Sequence, residues 1–351
     1  VCVTLANSFV NNGWKVDLIV LNINNEVFLK NLSEDVNLVI LNKRHARYSF
    51  LSLLNYIYKN KTKIFLVFNY ELTIIILILK IIFNLKIKVV SRNSNTLSIK
   101  INKSNYQNFW SKYIVFNLIK FFYQKSDYII NQCYGMKDDL LKLYSQLNTK
   151  TNVIPNPIPL NIENYCKKYD LEKINKQNYI LCVGRLEEQK AFHYAIDAFA
   201  GIKNNLPNLR LKIVGQGSFE KELRRKAVDL NIEDWVDFEG FHKNIIPYYL
   251  YARATILTSV YEGYPNVLIE SIALNTPVAS FNCPSGPSEI IKNGINGYLV
   301  NYKDTNDLKK KMATLLEKKF KYTDLKNSLQ ENQITKVFEK YERLIVSLLN
   351  I

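Results

Sequence analysis

Short β-branched apolar runs alternate along the whole chain with longer segments whose apolar positions recur every three or four residues. In the first half the runs are KVDLIVL (15–21), VNLVILN (36–42), KIFLVFN (63–69), KIKVVSRN (86–93) and YIINQC (128–133). In the second half they are NYILCVG (178–184), LRLKIVG (209–215), WVDFEGF (235–241), ATILTS (254–259), TPVASF (276–281) and GYLV (297–300). Short runs of this kind predict strands, and the longer period predicts helices between them, for example over 106–124 and 135–146. Repeated strand–helix alternation implies parallel sheets with helices on both faces. Such sheets bind ligands at the carboxyl ends of their strands.

The pattern breaks at TNVIPNPIPLN (151–161), where three prolines interleaved with asparagines force extended backbone. The polar stretch 163–178 then reads as linker or loop. This divides the chain into an α/β domain over 1–157, a second over 158–332 and a closing helix over 333–351. Ile334, Val337, Phe338, Tyr341, Leu344, Ile345 and Leu348 make one apolar stripe on that helix, which is expected to pack back on the first domain. Near the start, Leu5, Phe9, Val10 and Trp14 form a helix face ahead of the first strand. That order leads us to expect a further strand and loop before it. The most apolar stretch, 64–85, is interrupted by Glu71, Lys80 and two asparagines. It divides better into a strand and a buried helix than into a span of about 20 apolar residues.

Composition changes this picture little. The chain has 351 residues, 48% hydrophobic and 22% charged, which is a globular and not a disordered mixture. Five scattered cysteines show no metal-ligand spacing, which favours a reducing compartment and structural thiols. Charge does add something. The net value is +16, and residues 1–170 hold 22 Lys/Arg against 10 Asp/Glu. Clusters stand at KRHAR (43–47) and KNKTK (59–63). Either these are solvated faces of a lysine-rich chain or the first half works near anions. An anionic membrane surface, at about 1 kcal/mol per basic residue, and a phosphate-bearing substrate both fit the second reading. Nucleic acid is the weaker partner, because no helix-turn-helix, zinc or RNA-binding signature accompanies the charge.

Four motifs in the second half fall in loops after predicted strands. In VGRLEEQKAF (183–192), Gly184 and Arg185 end a strand, and Lys190 is placed at the opening of the next helix. An Arg fork and a Lys point charge suit a diphosphate. Cations there oppose the helix dipole, so the alternative of a merely solvated helix start carries a small penalty. IVGQGSFEKEL (213–223) places Gly215 and Gly217 after a strand. It is not a dinucleotide fingerprint, since the sixth position is Glu220, and alone it is a tight turn. In FEGFHKNI (238–245), Gly240 permits a turn. Phe241 or His242 either borders a flat base or is ordinary core and surface. YEGYPNVLIE (261–270) places Glu262 in a loop, Gly263, Tyr264 and Pro265 at a helix start, then Asn266 and Val267, and Glu270 inside an apolar helix. A buried carboxylate needs a partner, and no Lys or Arg lies within one helical turn of Glu270.

Taken in order, VIPNPI, VGRLEEQK, VGQG, FEGF, EGYPNVLIE and PSGPSEIIKNGINGYLV resemble the large retaining glycosyltransferase family that carries an E-x7-E motif. The resemblance covers essentially the whole chain. It implies the GT-B fold, with two Rossmann-like α/β domains whose parallel sheets face each other across a cleft. It implies that Glu270 holds the ribose hydroxyls of a nucleotide sugar and Glu262 orients the donor hexose. Arg185 and Lys190 would neutralise the diphosphate. Gly184, Gly215, Gly217, Phe241 and backbone N–H groups of Gly263 to Val267 would complete the donor site. No Asp-x-Asp occurs, so no cofactor and no divalent metal are expected. The family often has glycine after the motif lysine, where this chain has Ala191, and often has histidine after the KIKVVSRN strand. Arg92 and Asn93 stand at that place as acceptor-side candidates.

The PSGPSEII loop and the basic first half resemble enzymes that extend lipid-pyrophosphate-linked glycans, as in capsule or O-antigen assembly. The expected donor is a UDP-hexose or UDP-N-acetylhexosamine. The expected acceptor is a polyprenyl-diphosphate-linked sugar, met at the inner face of the cytoplasmic membrane. Two rivals use the same fold. One is a UDP-sugar hydrolase or epimerase, which needs no acceptor, and the other is a non-catalytic scaffold that binds nucleotide sugar. Retention of Glu262, Glu270, Arg185 and Lys190 together argues against the scaffold.

Overall fold

The computed structural model describes residues 1–23, 29, 31–102 and 117–350. Its contacts divide the chain into two units. The first joins Val1–Asn156 to Ile334–Ile351, and the second is Pro157–Gln333.

The second unit is built on a six-stranded sheet. Its strands are β7 (Tyr179–Val183), β8 (Arg210–Val214), β9 (Val236–Gly240), β10 (Ala254–Leu257), β11 (Val278–Phe281) and β12 (Gly297–Val300). They lie in the order β12-β11-β10-β7-β8-β9, and every pair is parallel. All residues of β10 and β11 are buried, as expected for strands covered by helices on both faces. One face packs on a core containing Phe199, Leu211 and Phe281, and the other on a core containing Tyr249, Leu268 and Ile272. Strand order reverses between β7 and β10. Loops leaving adjacent strands diverge there to opposite faces and open a crevice at the carboxyl ends.

In the first unit, β3 (Ile64–Val67), β4 (Lys88–Arg92), β5 (Tyr128–Asn131) and β6 (Thr151–Val153) form one parallel sheet. β1 (Asp17–Val20) and β2 (Asn37–Ile40) form a separate parallel pair. An apolar cavity of about 910 Å³ is lined by consecutive residues of both β1 and β3. The Ile334–Leu349 helix buries Val337, Phe338, Tyr341 and Ile345 in a cluster with Leu5 and Phe9 of the Cys2–Asn11 helix.

Every strand expected from the apolar runs is present, and two features differ from expectation. The polar stretch after the prolines is not all loop, because Leu160–Lys168 is helical and buries Ile162. The proline-rich break also begins with a strand, since Thr151–Val153 pairs with β5 before the chain turns extended. The 135–146 helix runs Tyr134–Leu143 and gives way to a 3-10 turn. Most of the helix expected over 106–124 lies outside the described residues.

Candidate functional site

Three loops meet at the reversal point of the second unit, and the first two knit together through glycine. β7 runs into Gly184 and β8 into Gly215, whose N–H reaches the carbonyl of Gly240 at the end of β9 (2.8 Å). A Cβ on Gly215 would strike the carbonyl oxygen of Gly184, and one on Gly217 would strike that of Leu186. Leu186 N–H bonds to Gln216 O at 3.0 Å, and Phe219 N–H bonds to Leu186 O at 2.9 Å. The G-x-G is thus a close backbone contact between neighbouring loops.

The loops after β7 and β10 are tied just as closely. Gln189 donates from Nε2 to Tyr261 O at 3.0 Å, and Thr258 Oγ1 donates to Lys190 O at 2.9 Å. These bonds bring Lys190 Nζ to 2.6 Å from Glu262 Oε1, with side-chain exposures of 14% and 10%. The loop after β11 adds a third support, since Ser285 Oγ donates to Glu262 O at 2.6 Å. Lys190 does not open a helix as expected. It closes a short 3-10 turn, Glu188–Lys190, and Ala191 follows in the left-handed region (φ 46°) before the His193–Lys203 helix. Ala191 is therefore at a position whose backbone favours glycine. Arg185, two residues beyond the end of β7, stays exposed.

The helix after β10 starts one residue later than expected, at Asn266, with Pro265 at its cap position. Pro265 is buried, and Tyr264, Asn266 and Val267 are half-buried. Tyr264 Oη accepts from Asn332 Nδ2 at 3.0 Å. Glu270 lies on this helix, densely surrounded yet with part of its surface accessible. Its partner is one the sequence did not reveal. Tyr249, wholly buried on the Ile246–Tyr251 helix, donates from Oη to Glu270 Oε2 at 2.9 Å. Burial pushes the Glu270 carboxyl above its ordinary range, while the Tyr249 bond and the charge of Lys190 oppose that shift. Burial also pushes the Tyr249 hydroxyl well up, so it remains a donor. Glu270 was expected to wait for a ligand as its partner. Instead one oxygen is satisfied within the protein.

Two further residues bear on the site. Ser259, between Thr258 and Val260, is wholly buried, and its Oγ has no hydrogen-bond partner. Phe241 is 60% exposed, beside His242, whose ring meets Tyr248 Oη at 2.9 Å. Arg92 and Asn93 lie in the first unit, at the end of β4, and both are buried. Arg92 donates to Tyr341 Oη at 2.7 Å and to Asn156 Oδ1, and lies over the Phe68 ring. Asn93 donates to Asn131 Oδ1 at 2.6 Å and accepts from Tyr123. Both side chains are engaged inside that unit. Among the described residues, no three His, Cys, Asp or Glu are grouped as a metal ion would require.

The comparisons with known proteins fall on this same region. Residues 167–335 match the family described as glycosyl transferases group 1. The chain carries a group 1 glycosyltransferase domain. That domain holds Gly184 to Gly286, and so all the second-unit geometry above. The chain is 32% identical over 235 residues to the N-acetylgalactosamine-N,N'-diacetylbacillosaminyl-diphospho-undecaprenol 4-alpha-N-acetylgalactosaminyltransferase of Campylobacter jejuni, covering 67% of this chain and 62% of that one. It is 31% identical over 219 residues to an uncharacterized glycosyltransferase of Methanocaldococcus jannaschii, covering 61% and 52%. The chain thus spans about half to three-fifths of the length of these curated relatives. A crystal structure of HepE from Anabaena in complex with UDP matches 99% of this chain and 95% of its own, with TM-score 0.75 and 17% identity. That likeness identifies the architecture of the glycosyltransferase domain and its companion unit as GT-B.

Proposed function

We propose that the chain is a retaining glycosyltransferase that moves a hexose or N-acetylhexosamine from a UDP-sugar to a glycan carried on a lipid pyrophosphate. The observation that carries the reading is the convergence of Lys190, Glu262 and Glu270 at the reversal point of a sheet inside the matched domain. Relatives named for transfer to diphospho-undecaprenol-linked acceptors support the acceptor class, and the UDP complex of HepE supports the nucleotide. Glu270 accepts hydrogen bonds from the ribose hydroxyls through Oε1 while Tyr249 holds Oε2. Glu262 orients the hexose. Arg185, Lys190 and the N-terminal turn of the Asn266–Ala273 helix stabilise the diphosphate, where negative charge grows in the transition state. The backbone at Gly215 and Gly217, packed against the loop after β7, completes the donor site, and Phe241 borders the base.

The bond from the sugar's anomeric carbon to the diphosphate oxygen breaks, and the diphosphate leaves with the electron pair. The acceptor hydroxyl oxygen bonds to that carbon on the same face, and its proton passes to the departing phosphate. Cationic side chains carry the diphosphate charge in this scheme, so turnover is expected to survive a chelator. We place the reaction at the cytoplasmic face of an anionic membrane. Among the described residues no helix is long and apolar enough to cross one.

The test is thermal stability with UDP, GDP, ADP and CDP, on the wild type and on Glu270→Gln. A ligand at 100 times its Kd adds about 2.7 kcal/mol. UDP is expected to stabilise the wild type and to lose that effect in the variant. Sugar release without acceptor would favour the hydrolase reading. No response to any nucleotide would overturn the donor assignment.

A further inference from the structure

We infer that Lys176 is a positioning residue, which sets the spacing between the two helices that carry Tyr249 and Glu270. This rests on the reading of Glu270 as the ribose ligand. Lys176 stands three residues ahead of β7, at the sheet edge opposite the crevice, so it acts on the site from a distance. Its ammonium donates to Leu250 O at 2.9 Å and to Thr276 Oγ1 at 2.6 Å. Leu250 follows Tyr249 directly in the Ile246–Tyr251 helix. Thr276 lies in the turn after the Asn266–Ala273 helix, and that turn is fastened back to the helix twice. Thr276 N–H bonds to Ser271 O at 3.0 Å, and Ser271 Oγ donates to Thr276 O at 2.9 Å. Ser271 is the chain neighbour of Glu270. One cation thus bridges the helix of the hydroxyl donor and the helix of the carboxylate acceptor.

The Tyr249 helix needs such a hold. A helix leaves its last four carbonyls without partners of its own, and this one has only six residues. All four are met from outside it. Tyr179 Oη donates to Tyr248 O at 2.7 Å, Thr276 Oγ1 to Tyr249 O at 2.6 Å, Lys176 Nζ to Leu250 O, and the Gln177 N–H to Tyr251 O at 2.8 Å. Lys176 makes one of these bonds and orients the hydroxyl that makes another. An ammonium can only donate to Thr276 Oγ1, which leaves that hydroxyl's single proton for Tyr249 O. Capping alone would need neither the Thr276 bond nor a buried charge. Both of these partners are neutral oxygens, and burial lowers the Lys176 pKa to about 7. The fold carries that desolvation cost where two helices are tied together, and the tie ends at Tyr249 Oη, 2.9 Å from Glu270 Oε2.

The experiment compares UDP with 2′-deoxy-UDP by titration calorimetry on the wild type, Lys176→Met and Thr276→Val. Methionine keeps the length of the lysine stem without its charge, and Thr276→Val cuts the same bridge from its other end. A carboxylate on the ribose hydroxyls should make the wild type prefer UDP at least about tenfold. Each variant should cut that preference at least about threefold, by weakening UDP more than 2′-deoxy-UDP. In the Tyr249→Phe background, where the link to Glu270 is gone, Lys176→Met should not change the preference further. Denaturant melts without nucleotide, at one fixed pH, should show Lys176→Met and Tyr249→Phe to be non-additive. A wild-type preference kept by both variants, or equal weakening of the two nucleotides, overturns the inference, and so do additive melts. Non-additive melts in a protein whose wild type binds both nucleotides alike, or neither, leave Lys176 as the positioning residue of Glu270 and refute the ribose assignment.

Discussion

Replacing Tyr249 with Phe removes one oxygen and little else. The ring stays in its core among Leu250, Leu268 and Ile269, and the bond from Thr276 Oγ1 to the Tyr249 carbonyl (2.6 Å) is untouched. What disappears is the 2.9 Å donor to Glu270 Oε2. A hydrogen bond to a charged group contributes roughly 1.5–3 kcal/mol, and a buried acceptor left without its donor bears the desolvation cost. The second unit should therefore lose about 2 kcal/mol at neutral pH. For a unit of this size that is a fall of about 4–8 °C in melting temperature.

The pH dependence carries the sharper signal. Burial raises the Glu270 pKa, so the folded protein binds a proton there at pH values where the unfolded chain has released it. Stability contributed by this group therefore falls as pH rises from the ordinary carboxylate range through the raised value. The Tyr249 bond counteracts the rise. Without it the raised value moves further up, and the deficit of the variant should grow with pH. Denaturant melts from about pH 5 to 8 on wild type, Tyr249→Phe, Glu270→Gln and the double variant would measure this. In the Glu270→Gln background the Tyr249 change should cost no more than about 1 kcal/mol, as for a neutral hydrogen bond. A Tyr249→Phe protein as stable as wild type at the alkaline end of that range, or a deficit independent of pH, would refute the pairing.

Three other outcomes follow from the same geometry. Ser259→Ala removes a buried hydroxyl with no partner, so it should leave stability unchanged or raise it by up to about 1 kcal/mol in a denaturant melt. If UDP or UDP-sugar affinity then falls, the hydroxyl serves the ligand. Gly215→Ala drives a methyl into the Gly184 carbonyl and should cost at least about 2 kcal/mol, whereas Gly13→Ala meets nothing within 4 Å and should cost less. Lys176 donates to Leu250 O (2.9 Å) and Thr276 Oγ1 (2.6 Å), and burial lowers its pKa to about 7. The unfolded chain then holds a proton that the fold sheds between about pH 7 and 10.5, so its destabilising contribution is relieved as pH rises through that window. Lys176→Met should be more stable than wild type at about pH 6, and the gap should close by about pH 10; a constant gap would contradict the assignment.

The parallel sheets were legible because strands buried on both faces must be apolar at nearly every position, as β10 and β11 are. The loops at their carboxyl ends were legible too, since each apolar run stops at glycine or at a polar residue, as at Gly184, Gly215, Asn282 and Asn301. Partners across the fold were not legible. Nothing in IIPYYLY marks Tyr249 as the donor to a carboxylate 21 residues later. Nothing near Lys190 says that its counterion is 72 residues away. The Leu160–Lys168 helix was hidden by its composition. It is polar except for Ile162 and a few partly buried residues, so only one buried position shows where it packs.

Under the proposed function, the Lys190–Glu262 pair alters how the diphosphate charge would be carried. A buried pair contributes little net stability, because desolvation offsets attraction, but removing one member strands the other. Glu262 thus gives the Lys190 ammonium a counterion before any donor arrives. The ammonium has three hydrogens and directs one to Glu262 Oε1, so a phosphate oxygen can be met without breaking the pair. Locally that pair is neutral, and the charge which grows on the leaving diphosphate must be answered from elsewhere. Exposed Arg185 at the end of β7 and the start of the Asn266–Ala273 helix are the groups placed to do so. On the proposed reaction, Arg185→Ala is expected to lower kcat and leave stability unchanged, whereas Lys190→Ala is expected to lower both, because it also strands Glu262.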